Sequence, residues 1–443
     1  MDEAQRITVV GAGLAGCEAA LCLARRGLAV DLVEMKPARF SPAHRLPGPA
    51  ELVCSNSLKS DDPDTAHGLL KQELRRLGSG LLAAAERARV PAGTALAVDR
   101  ERLCQEMLAL LGREPRIRFR PGEYLESVPP GPVILATGPL TDGALARFLR
   151  EQGGAEPLHF YDALAPIVSA DSLDTEAIFA GSRWGRGGDD EYLNCPLDEA
   201  QYRQFVEALL AEEPAGRHPF EDARFFEGCL PIEEMARRGP DTLAFGPMRP
   251  VGLARGGRRP FAVVQLRAEN LARTAFNLVG FQTKLTPAGQ RRVFRLIPGL
   301  ARAEFLRYGA MHRNLYVEAP RWLDERLGLR SCPRVRLAGQ ITGVEGYVES
   351  AAVGWLVGHM LAGEFQGRPT PAPPPETALG ALYAHLRARL GAPRFEPMNI
   401  HFGLLPPAPG TRRETRRAAV LQRAREALER WRAAPEGPGE SHD

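Results

Sequence analysis

Apolar residues gather at both ends of the chain into short runs that read as buried strands, each followed by helical spacing. Ile7-Thr8-Val9-Val10 is a run of the kind found inside parallel sheets. Apolar positions at helical period follow over Cys17–Arg26 and stop at Gly27, and Val30–Val33 makes a second run that closes on Glu34. The strand pattern returns at Val133–Leu135 and at Val335–Leu337, the latter leading into a helical stretch over Tyr347–Leu361. Between these ends, Phe261–Leu266 and Leu278–Phe281 read as strands, and Glu199–Glu212 and Gln290–Ile297 as helices. The pattern predicts an α/β fold with a discontinuous Rossmann-like domain over 1–160 and 330–443. An α+β insertion domain over 161–329 interrupts it, and residues 371–376 form a stiff proline-rich connector.

The turn after the first strand gives this frame a ligand. Gly11-Ala12-Gly13-Leu14-Ala15-Gly16 is G-x-G-x-x-G in a complete strand–helix–strand context. Gly11 permits the tight turn, Gly13 lets a pyrophosphate approach the backbone, and Gly16 lets helix and strand close up. The helix N-terminus favours the phosphate charge, and Glu34 stands where a ribose hydroxyl needs an acceptor. A nicotinamide or a flavin dinucleotide satisfies these features equally. Two later segments favour FAD. Val133–Gly138 closes on Ala-Thr137-Gly138, similar to the second strand and turn of glutathione-reductase-like flavoproteins. Gly339-Gln340, with Gly346 and Tyr347 opening the next helix, stands where many flavoproteins have Gly-Asp on the ribityl chain.

Total charge is nearly balanced, at 57 basic against 54 acidic side chains, and excludes nothing. Its distribution is uneven: residues 141–240 carry 9 basic and 20 acidic side chains, and residues 241–340 carry 18 and 6. The two stretches either neutralise each other or leave a basic surface for a polyanion. Seven cysteines without a C-x-x-C pair argue against a disulfide framework or a structural zinc site, so no metal is expected. The polar Met1–Arg6 and the absence of a long apolar run point to a cytoplasmic protein without a membrane span.

Gly11–Ala20 and Gly339–Ala352 resemble the flavoproteins that modify tRNA uridines. Within that group, Val53–Leu58 (V-C-S-N-S-L), Asp190–Pro196 (D-E-Y-L-N-C-P), Phe245–Leu253 and Tyr308–Asn314 (Y-G-A-M-H-R-N) resemble the folate- and FAD-dependent tRNA (uracil-5-)-methyltransferases. The related wobble-uridine branch usually has a C-N-P-A-type segment near the first of these. The resemblance runs from residue 7 to about 430. It implies that 5,10-methylenetetrahydrofolate gives a one-carbon unit through reduced FAD to C5 of a T-loop uridine, that the unit is reduced to methyl, and that NADPH or NADH restores the flavin. The implied partner is the T-arm of tRNA, with no obligate protein partner. Three readings stay open: the same chemistry on ribosomal RNA, a flavoprotein subunit of wobble modification, and a plain FAD/NAD(P)H oxidoreductase.

C5 of uracil is a weak nucleophile. Addition of a thiolate at C6 activates it, and a base must then remove the C5 proton. The resemblance implies two cysteines for this work. We assign Cys229, in F-F-E-G-C-L-P, as the C6 nucleophile and Cys54 as the C5 base, with the exchanged roles as the alternative. His312, Arg313 and Asn314 are the folate candidates. Arg249, Arg255, Arg258, Arg259 and Lys284 on insertion loops are candidates for RNA phosphates, as are Arg412, Arg413 and Arg416 on a C-terminal helix.

Overall fold

The computed structural model describes residues 6–153, 158–183, 191–213, 230–368, 370–387, 395–412 and 414–434. β1 (Ile7–Val10), α1 (Leu14–Arg25) and β2 (Val30–Glu34) form the expected opening unit. Five strands run parallel in the order Cys332–Leu337, Val133–Leu135, β1, β2 and Ile117–Pro121, with Gly328–Leu329 added antiparallel at one edge. All five residues of β2 are buried, as a strand covered on both faces requires. Val133 pairs with both Thr8 and Val335, so a strand from late in the chain lies one place from the first.

The helix Tyr347–Phe365 covers the same face as α1 and is buried nearly all round, so it has no polar stripe. Glycine lets the two helices touch through their backbones. A Cβ on Gly354 would stand 2.1 Å from the Ala15 carbonyl oxygen, and one on Gly358 2.9 Å from that of Ala19.

The insertion holds a second, antiparallel sheet in the order Phe179–Ala180, Tyr192–Leu197, Ala262–Ala268, Ala275–Leu278, Ile167–Ser169 and Phe305–Arg307. Helices Glu199–Ala211 and Pro287–Phe294 pack beneath it, and Phe281 joins them, 6.0 Å from Phe205 and 5.7 Å from Phe294 between ring centres. The apolar run Leu278–Phe281 is therefore a strand only at its first residue. Gly280, at φ +79°, turns the chain there, and Phe281 is buried by the turn rather than by a pleat. An antiparallel ribbon, Leu158–Ala163 with Met311–Tyr316, lies between the two sheets in sequence and carries His312.

Candidate cofactor and substrate site

A cleft opens at the carboxyl ends of β1 and β2 and is lined by the glycine turn, Glu34, Lys36, Thr137, Gly138, Gly339, Gln340 and Tyr347. The three glycines do different work. Gly11 has φ +96°, and a Cβ there would meet the Ala136 carbonyl oxygen at 2.6 Å. A Cβ on Gly16 would meet the Gly11 carbonyl oxygen at 1.8 Å. Gly13 has nothing within 4 Å on that side, so it is the cleft that needs it bare. No side chain caps α1, which leaves backbone N–H groups of its first turn, beginning at Leu14, Ala15 and Gly16, for an anion. Glu34 accepts the N–H of Ala12 at 2.8 Å and of Lys36 at 3.0 Å, which fixes its carboxylate at the cleft wall with lone pairs remaining for a ribose. Lys36, missed from the sequence, pairs with Glu51 at 3.3 Å and donates to the Gly48 carbonyl at 2.7 Å, anchoring the loop that leads to Cys54.

At the other end, Gly339 and Gly346 take φ +82° and +115°. The Gln340 amide nitrogen donates to Glu345 at 2.6 Å, so its amide oxygen is the group it offers the cleft. An acceptor of this kind replaces the more usual aspartate. The donor and acceptor set fits FAD: free helix N–H groups and a bare glycine for pyrophosphate, Glu34 for ribose, Gln340 for a polyol.

Burial, with the Asp162 charge nearby, raises the Glu345 carboxyl to about 8 against the pull of Lys59. Its neighbour Glu349 goes the other way. Burial opposes ionisation there, but Lys59 at 3.7 Å and His67 at 3.4 Å hold it at about 2. Because the folded value of Glu345 lies above its ordinary 4.5, its stabilisation is complete below that pH and is lost as pH rises through about 8. Glu345→Gln is expected to flatten the decline of the thermal midpoint across this window. Scanning calorimetry of both holoproteins from about pH 5 to about pH 9 checks it; parallel profiles would refute it.

Cys54 stands beside this end of the cleft. Its N–H donates to the Tyr347 hydroxyl at 2.6 Å, as does that of Ser55 at 3.2 Å. Burial pushes the Tyr347 hydroxyl well up, so it stays protonated and keeps its own hydrogen to donate. Asn56, fully buried, receives Arg267 Nε at 2.8 Å, and Arg267 also donates to Ser55 Oγ at 2.8 Å. The Cys54 thiol lies 3.8 Å from the Ala163 carbonyl on the ribbon, where Ala163 pairs with Met311 and Asp162 with His312. His312 is thereby one ribbon position away from the carbonyl that Cys54 touches. Burial, then Arg307 and His44, hold its imidazole below the ordinary value, and its Nε2 is buried without a hydrogen bond. Strand alternation divides the His-Arg-Asn segment. Asn314 is 4% exposed on the His312 face, whereas Arg313 is exposed on the other. Cys229 lies outside the described residues; the chain after it enters the helix Ile232–Arg237. Cys195 is fully buried in the insertion core.

The arginine candidates also divide. Arg249, Arg255, Arg258 and Arg259 are all exposed; Arg255 pairs with Arg258 across a Gly256-Gly257 turn, and its guanidinium is spent on the carbonyls of Glu176 and Ala177. Arg249 folds back onto the Phe245 carbonyl. Lys284 is a correction: it is 5% exposed and ion-paired with Glu234, so it does not reach the surface. The C-terminal helix begins at Arg416, so Arg412 precedes it, exposed, and Arg413 lies outside the described residues. Arg417, Arg423 and Arg425 on that helix are spent on carbonyls of Asp64, Pro407 and Pro63. Among the described residues, no helix is long and apolar enough to cross a membrane.

The family model "Glucose inhibited division protein A" matches residues 6–369. The chain is 56% identical over 435 residues to the methylenetetrahydrofolate–tRNA-(uracil-5-)-methyltransferase TrmFO of Anaeromyxobacter dehalogenans (strain 2CP-1), covering 96% of each. It is 53% identical over 430 residues to the protein of that name from Geobacter sulfurreducens, covering 96% of this chain and 99% of that one. Among solved structures, Aquifex aeolicus GidA superposes with a TM-score of 0.68 at 17% identity over 96% of this chain and 73% of its own, a likeness of fold.

Proposed function

The chain belongs to the methylenetetrahydrofolate–tRNA-(uracil-5-)-methyltransferase family, within the wider glucose inhibited division protein A family, and from that membership we infer that it methylates C5 of a uridine in tRNA using methylenetetrahydrofolate and FAD. The observation that carries the reading is Tyr347, which lines the dinucleotide cleft and holds the backbone of Cys54 at its edge. Bound FAD supplies the redox chemistry that moves the one-carbon unit and reduces it to methyl, with NADPH or NADH as the external reductant.

The protein's own part is to place a uracil and to move its protons. Cys229 attacks C6, and Cys54 takes the proton from C5. Tyr347 and Arg267 support this reading, because Tyr347 holds the backbone of Cys54 and Ser55, Arg267 holds the side chains of Ser55 and Asn56, and the thiol is left uncommitted to a strong acceptor. His312 stays neutral, which suits stacking on or hydrogen bonding to a pterin rather than pairing with an anion. The T-loop uridine is the target we assign, with the exposed Arg249–Arg259 loop and Arg412 and Arg416 on the phosphates.

Purified holoprotein is expected to incorporate label from methylenetetrahydrofolate into unmodified tRNA as 5-methyluridine when NADPH is present. Unlabelled tRNA from intact, yellow protein would overturn the reading. Arg258→Ala with Arg259→Ala is expected to weaken tRNA binding and to lower the salt slope by about 1 for each of the two arginines that neutralises a phosphate. Filter binding at several salt concentrations measures both, and an unchanged slope excludes these residues.

A further inference from the structure

Glu349 takes no part in the chemistry assigned above, yet three other stretches of the chain meet on its carboxylate. It lies in the first turn of the helix Tyr347–Phe365, where the helix N-terminus favours its charge, and it is 1% exposed. Lys59 Nζ stands 3.7 Å and His67 Nδ1 3.4 Å from Oε1, and the Ile400 N–H donates to the same oxygen at 3.2 Å. The other oxygen, Oε2, turns to Gly346: a Cβ there would stand 2.1 Å from it and 3.1 Å from Lys59 Nζ. Carboxylate and ammonium therefore both rest against the bare α-carbon that precedes Tyr347.

Two of these partners belong to elements that bear on the cofactor site. Lys59 is in the strand Ser57–Ser60, which begins three residues after Cys54. It takes φ +63°, unfavourable for a residue with a Cβ, where the pairing with Ala95–Val98 slips. Regular strand geometry is given up at the residue whose ammonium meets Glu349. Ile400 closes the segment Phe395–Ile400, which lies along the flavin-side turn. Met398 pairs in parallel with Val344; its carbonyl accepts the Glu345 N–H at 2.8 Å, and its N–H donates to the Gly343 carbonyl at 3.2 Å. The Phe395 ring fills the space beside Gly343, where a Cβ would come within 2.4 Å of it. We propose that Glu349 is a positioning residue: its carboxylate fastens the turn Gly343–Tyr347 to the strand that follows Cys54 and to the C-terminal segment, and so fixes the place from which Tyr347 holds the Cys54 backbone. Because Lys59 and His67 hold the carboxyl at about 2, the tie is complete at neutral pH. The inference rests on the reading that Cys54 works beside bound FAD, and its test needs no tRNA.

Glu349→Gln keeps an acceptor for Ile400 and releases both cations. Glu349→Gln with Lys59→Met also removes the ammonium that would otherwise stay beside the uncharged amide. Three properties of each yellow holoprotein are compared with the wild type. They are the thermal midpoint, the rate of FAD release on dilution, read by flavin fluorescence, and the alkylation rate of Cys54 by iodoacetamide, read by peptide mass spectrometry. Glu349→Gln is expected to release FAD about 10-fold faster, the equivalent of one lost hydrogen bond, and to alkylate faster at Cys54 as its loop loosens. The double variant is expected to recover part of the thermal midpoint while both rates stay high, because the tie is still missing. Return of both rates to wild type in the double variant would make Glu349 a counter-ion to Lys59 and nothing more. Wild-type rates in Glu349→Gln itself would overturn the proposal outright. Should Glu349→Gln fail to accumulate, the double variant carries the same test. A wild-type protein that fails to methylate tRNA would remove the methyltransferase reading and leave the outcome of these two rates intact.

Discussion

Cys229→Ala is expected to leave tRNA unmethylated and to abolish its covalent capture by 5-fluorouridine tRNA, while the protein stays yellow. Removing the nucleophile removes the only route to an activated C5, so the loss is expected to exceed about 10³-fold. Cys54→Ala is expected to be as inactive in methylation but still able to form the adduct, because capture stops before the C5 proton is removed. Denaturing gels of enzyme with fluorinated tRNA separate the two. Undiminished capture by Cys229→Ala, with capture abolished in Cys54→Ala, would exchange the roles. Retention of FAD is expected because Cys54 touches Tyr347 only through its backbone N–H, which alanine keeps.

The second large effect lies in the glycine turn, where two substitutions of the same kind are expected to fail differently. Gly16→Ala places a methyl 1.8 Å from the Gly11 carbonyl oxygen, backbone against backbone, so β1 and α1 must separate. Overpacking of this sort costs about 1–3 kcal/mol or more, and the displaced turn loses FAD as well. Gly13→Ala meets no protein atom within 4 Å and needs no change of backbone, so its stability without cofactor is expected to match the wild type's. Its methyl instead occupies the space of the pyrophosphate, and FAD affinity is expected to fall about 10- to 100-fold. Thermal unfolding of the stripped proteins and flavin titration read the two effects separately. A Gly13→Ala protein that unfolds early without FAD would contradict the division.

This frame was legible because its chemistry is local. The glycine turn, Glu34 and the Gly339–Tyr347 segment each declare themselves within about a dozen residues, and each lines the cleft. What could not be read depends on partners far apart in the chain. Arg267 reaches Asn56 across 211 positions, and Lys36 meets Glu51 only after the loop folds over the cleft. Lys284 looked available because a lysine on a loop usually is; Glu234 and burial remove it from the surface. The His312-Arg313-Asn314 segment looked like one constellation, but a strand presents alternate residues to opposite sides.

The strand Cys332–Leu337, with Gly328–Leu329 at its edge, completes a sheet whose other four strands are made before residue 136, and the helix Tyr347–Phe365 packs on α1 later still. At about 5–20 residues per second of synthesis, the first half of the dinucleotide frame emerges roughly 10–40 s before the half that closes it. During that interval α1 lacks the helix that shields it, and Val133–Leu135 is an open parallel edge. Ribosome-bound chains truncated before residue 332 should therefore depend on chaperones and take up no flavin, whereas the insertion sheet, contiguous in sequence, can already have formed.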